Sequence, residues 1–138
     1  MAEEVQMWSI EHSYIEPWLD AQDDETVACI FAALEILQCK GPALGRPLVD
    51  TVKGSRLKNF KELRPASPGG SEIRILFVFD ANREAVLLLG GDKSKGERGR
   101  LRWSGWYRMA VAKAERIYEE YCRNSTARRR NGRFSGIS

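Results

Sequence analysis

The stretch of sequence that decides the fold reads Glu72-Ile73-Arg74-Ile75-Leu76-Phe77-Val78-Phe79-Asp80. Successive side chains of a β-strand point to opposite faces, so the odd-numbered positions 73–79 form one apolar face. The even-numbered positions form the other face, which is apolar except for Arg74. The stretch therefore predicts a strand that is covered on both sides and carries one arginine.

One further strand is predicted before this one and one after it. Residues 57–64 precede it across the turn signal Pro-Ala-Ser-Pro-Gly-Gly, and residues 85–89 follow it after a second short turn. Short turns between consecutive strands predict an antiparallel meander. The run 85–89 is apolar on both faces, which predicts a central, covered strand. The glycine pair 90–91 is predicted to end the sheet.

An amphipathic helix is predicted over residues 24–40. Its apolar residues recur at helical spacing, and either Asp23 or Asp24 is a suitable N-cap. Gly41 and Pro42 then stop it.

The other predicted elements are a first strand, a short helix, a mostly irregular segment and a last helix, at residues 5–10, 14–21, 41–56 and 103–122. This order of elements predicts an α+β domain over residues 1–122, with helices packed on a small sheet. Residues 123–138 contain five arginines and no acidic residue, which predicts a flexible basic tail.

Composition limits the class of protein. The chain has 138 residues, three cysteines without a Cys-x-x-Cys pair and one histidine, so we expect one domain, no metal site and no cofactor. The first residues are acidic and lack the apolar stretch of a signal peptide, and no apolar run predicts a membrane span. The expected compartment is the cytoplasm.

Charge is divided unevenly along the chain. Residues 1–39 hold nine acidic residues and no lysine or arginine, and residues 40–138 hold all 22 basic residues against ten acidic ones. The two parts therefore carry formal charges of −9 and +12 beneath a net charge of +3. The basic part predicts a polyanionic partner, although the two parts could also neutralise each other in the fold.

The basic residues concentrate at three places that an antiparallel sheet can bring together: Lys58, Lys61 and Arg64 on the first meander strand; Arg74 on the second; and Lys93, Lys95, Arg98, Arg100 and Arg102 after the third. Lysine and arginine neutralise phosphates, and nearby aromatic residues such as Trp103 and Tyr107 can stack on unpaired bases. This combination suits single-stranded RNA. Arg74 stands out because an apolar strand buries a charge only for a partner or a function. Lys58 and Lys61 could instead be solvated strand residues, and for Lys58 this is the preferred interpretation.

Three segments in this order carry a resemblance to a known family: Phe60-Lys61-Glu62-Leu63-Arg64, residues 73–79, and residues 86–95 with the ending Gly-Gly-Asp-Lys-Ser-Lys. They resemble the HigB-type, phage-derived branch of the RelE toxin superfamily. The resemblance implies the RelE-like fold, a small antiparallel sheet flanked by N-terminal helices and a C-terminal helix. It also implies a type II toxin that cuts mRNA without a metal, commonly on the ribosome.

The implied partner is an antitoxin with a helix-turn-helix DNA-binding domain, and oligomers are expected only through that complex. The implied reaction is attack of a ribose 2′-hydroxyl on the adjacent phosphate, which needs a base, an acid and positive charge. By the resemblance, Arg74 stabilises the phosphate, and either Lys61 or Glu62 is the base. Lys93, Lys95 or Arg98 is the acid or stabilises the leaving group, and Tyr107 stands in for the late tyrosine or histidine of some relatives.

The predicted RNA-binding residues are Lys58, Arg64, Lys95, Arg100, Arg102 and Trp103. Two alternatives remain open from the sequence. One is a non-catalytic RNA-binding module on the same fold. The other is an interaction protein whose basic groove holds an acidic partner segment, such as part of an antitoxin.

Overall fold

A computed structural model of the chain describes residues 7–94 and 100–135, with side chains placed at 7–94 and 105–125. Its strands and helices, in chain order, are β1 (Ser9–Glu11), α1 (Glu16–Asp20), α2 (Asp24–Lys40), β2 (Val49–Thr51), β3 (Phe60–Leu63), β4 (Ile73–Phe79), β5 (Glu84–Asp92) and α3 (Arg100–Ser135). Short 3-10 helices occupy Ser13–Ile15 and Gly41–Ala43.

The strands form one five-stranded sheet in the order β1-β5-β4-β3-β2. The pairs β2–β3, β3–β4 and β4–β5 are antiparallel, which confirms the predicted meander. Because β1 pairs in parallel with β5, the sheet as a whole is mixed. The α+β prediction is confirmed, and β5 lies inside the sheet as its double-sided apolar pattern predicted.

The two faces of β4 belong to two separate core layers, which confirms the predicted alternation. One layer packs the odd-numbered side chains of β4 against the inner face of α2: Ile73, Ile75, Phe77 and Phe79 meet Ile30, Leu34 and Leu37. The other layer packs the even-numbered apolar side chains against α3: Leu76 and Val78 meet Ala110, Ala114 and Tyr121. The sheet therefore separates an α2 side from an α3 side.

Helix α2 has the predicted ends. The carboxylate of Asp23 accepts a hydrogen bond of 2.7 Å from the backbone N–H of Thr26, and this contact lowers the pKa of Asp23. At the other end Gly41 takes a left-handed φ of 55°, and its N–H donates to the Leu37 carbonyl. These two caps define where the helix begins and ends.

Segment Asp24–Ala43 is also long and apolar enough, by length and composition alone, to cross a membrane. About a third of that window is buried in the fold, where Ile30, Leu34 and Leu37 fill the core. A helix that packs in a protein core can meet this criterion of length and composition, and α2 packs in such a core.

Helix α3 is tied to the turn between β4 and β5 by one phenol. The hydroxyl of Tyr121 lies 2.7 Å from an oxygen of Asp80 and 2.6 Å from an oxygen of Glu84. Burial, followed by these two carboxylates, raises the pKa of Tyr121 above its usual range, so the phenol keeps its proton.

Several predicted boundaries were wrong. The first strand covers only Ser9–Glu11 of the part that the structure describes, and a short strand, β2, lies within residues 41–56, which were predicted to be mostly irregular. Helix α3 begins at Arg100 and continues past Cys122 to Ser135. The division into a domain over 1–122 and a flexible tail over 123–138 stays a prediction.

The glycines 90 and 91 do not end the sheet, because β5 runs through both of them to Asp92. A side chain at Gly90 would overlap the ring of Trp18 on one face, and a Cβ at Gly91 would lie 2.9 Å from the ring of Trp106 on the other. The two glycines therefore make room for a tryptophan on each side of the strand.

We predict that Gly90→Ala lowers the free energy of unfolding by about 1–3 kcal/mol, because its methyl group overpacks against Trp18. Gly70→Ala is the matched control, since no atom lies within 4 Å of a Cβ there. Urea denaturation followed by circular dichroism measures both. Equal stability of the two variants would contradict the close approach of Trp18.

Candidate active site

A buried carboxylate lies at the centre of the α3 side. Glu62 is on β3 and only 2% exposed, and strand alternation turns it to the same face as Phe60, which packs in the α3 layer. A buried charge is costly unless it is paired and hydrogen-bonded, so its neighbours define the site.

Each oxygen of Glu62 has a donor. The Nε of Arg64, just past the end of β3, donates to Oε1 at 2.7 Å, and the phenol of Tyr107 on α3 donates to Oε2. Arg74 on β4 places its own Nε 3.6 Å from Oε1, too far for a hydrogen bond. Three separate elements thus converge on one carboxylate.

Arg74 is held by its backbone and keeps one donor without a hydrogen bond. Its Nη1 donates to the Ile73 carbonyl at 2.7 Å, whereas its Nε is buried and has no hydrogen-bond partner in the part of the chain that the structure describes. A buried donor in this state is costly to leave unsatisfied.

Lys93 completes the group and is 8% exposed. Its Nζ lies 5.2 Å from the centre of the Tyr107 ring. Burial, and then the positive charge of Arg74, lowers the pKa of Lys93 below its usual value. For Tyr107, burial and the hydrogen bond to Glu62 raise the pKa. We call Glu62, Arg64, Arg74, Lys93 and Tyr107 the Glu62 cluster.

A second carboxylate holds the far side of Arg64. The Nη2 of Arg64 donates to Asp50 Oδ2 at 3.1 Å, and Arg46 donates to the same oxygen at 3.0 Å. The bond to Glu62 is the main reason that the pKa of Arg64 is raised. With Asp50 and Arg46 included, four basic side chains face two carboxylates, which leaves a formal charge of +2.

A groove of about 740 Å³ opens beside the cluster, between β2 and α3. Its lining includes Glu62, Arg64 and Tyr107, together with Val52 and Val111. Its size lies within the range of ligand pockets, about 300–1,000 Å³. The groove connects the buried carboxylate with solvent.

The structure brings together five of the predicted site residues, namely Glu62, Arg64, Arg74, Lys93 and Tyr107. Lys61 is not among them: its Nζ donates to Thr51 at 3.0 Å, and it lies near Phe79 on the α2 side of the sheet. Lys58 was predicted on a strand and lies exposed in the turn before β3.

Lys95 and Arg98 lie outside the described residues. Arg100, Arg102 and Trp103 fall in the first turns of α3, where only the backbone is described. Sequence reasoning missed Asp50 and Arg46, because β2 is a strand of three residues within a segment predicted to be irregular. Within the described residues, no three histidine, cysteine or acidic side chains are grouped as a metal site would need.

Comparison with known proteins identifies the family. The family described as "Phage derived protein Gp49-like (DUF891)" matches residues 17–119, which contain the whole Glu62 cluster. The chain belongs to the Gp49-like family. This confirms the resemblance to the phage-derived, HigB-type branch that the three sequence segments carry.

Two relatives of this Gp49-like chain come from Mycobacterium tuberculosis and bear toxin names. One, named toxin HigB2, is 47% identical over 114 residues, which are 83% of this chain and 54% of the relative. The other, named toxin HigB3, is 42% identical over 107 residues, which are 78% of this chain and 86% of the relative. The chain thus spans about half the length of HigB2 and most of HigB3.

The lowered pKa of Lys93 predicts a pH-dependent effect on stability. The Lys93 side chain binds its proton less tightly in the folded state than in the unfolded state. The protonated form of Lys93 therefore destabilises the fold at neutral pH. This cost disappears as the pH rises through the lowered pKa towards the ordinary value of 10.5. Lys93→Met should therefore stabilise the protein at pH 7, and its advantage should shrink as the pH rises.

Urea denaturation at a series of pH values measures that difference. Lys58→Met, at an exposed position, is the control and should stay within about 0.5 kcal/mol of the wild type. An advantage of Lys93→Met that grows with pH would contradict the assigned direction.

Proposed function

We propose that this chain is the toxin of a type II toxin–antitoxin pair and cleaves mRNA as a metal-independent endoribonuclease. The observation that carries the proposal is the buried Glu62 carboxylate, which is bonded to a phenol, has cations beside it and lines an open groove. The toxin names of the two relatives support the biological role. The proposed setting is the cytoplasm, with ribosome-bound mRNA as substrate and a helix-turn-helix antitoxin as partner.

The proposed reaction is an internal transfer within RNA. The 2′-oxygen attacks the adjacent phosphorus, the bond from phosphorus to the 5′-oxygen breaks, and the products are a 2′,3′-cyclic phosphate and a 5′-hydroxyl. The reaction requires removal of the 2′-proton, positive charge at the phosphorane and a proton for the leaving 5′-oxygen.

Glu62 is the proposed final acceptor of the 2′-proton. Because its carboxylate is buried beneath Tyr107, the proton passes through the phenol: the 2′-hydroxyl gives its proton to the Tyr107 oxygen as Tyr107 gives its own to Glu62. The raised pKa of Tyr107 suits such a concerted transfer, because the phenol is never required to ionise by itself. Lys61, on the other side of the sheet, has no part in this step.

The cations supply the other two requirements. Arg64 lines the groove and is fixed between Glu62 and Asp50, so it presents its charge to the phosphate without needing to reorganise. Arg74, whose Nε is buried, adds positive charge from behind Glu62. Lys93 is the proposed acid for the 5′-oxygen, since its lowered pKa makes its ammonium a better proton donor than an ordinary lysine.

Cleavage of mRNA by the purified chain, with and without ribosomes, tests the proposal, with new 5′ ends mapped by sequencing. Glu62→Gln should lower the rate about 10²–10⁴-fold, as expected for loss of a general base. Lys61→Gln is the matched control from the neighbouring position and should cleave within about twofold of the wild type, because it faces the α2 side.

Two outcomes would contradict this assignment. Loss of cleavage in Lys61→Gln but not in Glu62→Gln would move the base to the other face of the sheet. A wild-type chain that binds RNA with strong salt dependence but creates no new ends would be an RNA-binding module instead.

The role of Lys93 predicts a particular pH profile. The single-turnover rate should fall as the pH rises past the lowered pKa of Lys93, because the acid loses its proton there. Lys93→Arg should cleave more slowly at neutral pH and lack this alkaline fall, since a guanidinium stays protonated. An unchanged alkaline fall in Lys93→Arg would exclude Lys93 as the acid.

A further inference from the structure

The outer face of α2 exposes apolar side chains to solvent. Phe31 is 51% exposed and Ile36 is 43% exposed, although both are large and hydrophobic. We define the α2 outer face by six of the exposed residues of this helix, which are Ala28, Phe31, Ala32, Glu35, Ile36 and Cys39.

These residues form one continuous stripe. Each member of this set lies three or four residues from another member, which places positions 28, 31, 32, 35, 36 and 39 along one side of an α-helix. The buried Ile30, Leu34 and Leu37 lie on the opposite side, against the sheet. The helix is therefore apolar on two faces, and in the described residues only the inner face is packed in a core layer. A contiguous exposed apolar surface marks an interaction site more often than single exposed residues do.

The charge around this stripe limits what can cover it. Glu35 lies within it, Asp24 and Glu25 lie exposed at its N-terminal end, and the exposed Lys40 ends the helix, so these four residues carry a formal charge of −2. The excess of negative charge would repel an anionic membrane. The complementary surface is apolar and bordered by positive charge.

We propose that the α2 outer face is the docking surface for the antitoxin, and that the docking segment is an amphipathic helix with lysines or arginines beside its apolar side chains. The proposal rests on the proposed toxin function for the identity of the partner. The surface itself follows from exposure and charge. Helix-on-helix docking matches the length of α2, which offers 17 residues.

The location has a consequence for inhibition. The α2 outer face and the Glu62 cluster lie on opposite sides of the sheet, because α2 packs on one face and α3 on the other. Contact with the α2 outer face therefore anchors the antitoxin without using the catalytic side chains. Variants of the cluster and variants of the α2 outer face should separate cleavage from complex formation.

The test uses the protein encoded by the gene beside this one as the probe, with affinity measured by calorimetry. The double variant Phe31→Ser/Ile36→Ser should bind at least about 30-fold more weakly, as loss of a central apolar anchor predicts. Met109→Ser is the matched control, because Met109 is 64% exposed on α3, and it should bind like the wild type. Both variants should cleave RNA at the wild-type rate.

A charge variant keeps the test informative if the double variant folds poorly. Glu35→Lys should weaken binding, and raising the salt concentration should weaken wild-type binding more than that of Glu35→Lys. Glu62→Gln should bind with wild-type affinity.

The docking surface is refuted if the double variant and Glu35→Lys both bind within twofold of the wild type, or if the wild-type chain does not bind the probe. Loss of binding in Glu62→Gln alone would place the antitoxin on the Glu62 cluster instead. Light scattering that shows a dimer of the wild-type chain, broken by the double variant, would make a second copy the occupant. Failure of the wild type to cleave RNA would overturn the proposed activity, while the affinities would still decide the docking surface.

Discussion

The burial of the Glu62 carboxylate is the constraint on which the α3 side of the protein depends. A charge that is only 2% exposed must be met by donors, and Arg64 and Tyr107 supply them from the end of β3 and from α3. The same requirement that fixes α3 on the sheet also gathers Arg74 and Lys93 around one point. The contacts that satisfy this buried carboxylate therefore also create a site with positive charge, a proton acceptor and a phenol.

The sheet gives the molecule two sides with different character. Strands β4 and β5 are apolar on both faces, so each face carries its own core layer and its own helix. Helices α1 and α2 carry five acidic residues, whereas the Glu62 cluster and its formal charge of +2 lie beneath α3. The acidic helices and the basic cluster therefore lie on opposite sides of the sheet, as the proposed anionic substrate and basic partner require.

The core of this fold could be predicted because its signals are local. Alternation over 73–79 and the caps of residues 24–40 are properties of single elements, and Arg74 was noticeable as the one charge in an apolar strand. Three-dimensional relations were harder to predict. Neighbours Lys61 and Glu62 point to opposite faces, and only the pairing of Glu62 with Leu76 shows which of them joins Arg74. Asp50 was missed because a three-residue edge strand has too few positions to show a period, and the glycine pair in β5 was misread because the tryptophans that require it are distant in sequence.

The chemistry of the RNA ends tests the central claim most directly. The purified chain, treated with a chelator, is incubated with a defined mRNA on ribosomes, and the termini of the fragments are analysed by mass spectrometry. Transfer within the RNA through the Glu62 cluster predicts 2′,3′-cyclic phosphate ends, or the 3′-phosphate formed when they hydrolyse, opposite 5′-hydroxyl ends. Fragments with 5′-phosphate and 3′-hydroxyl ends would contradict the account.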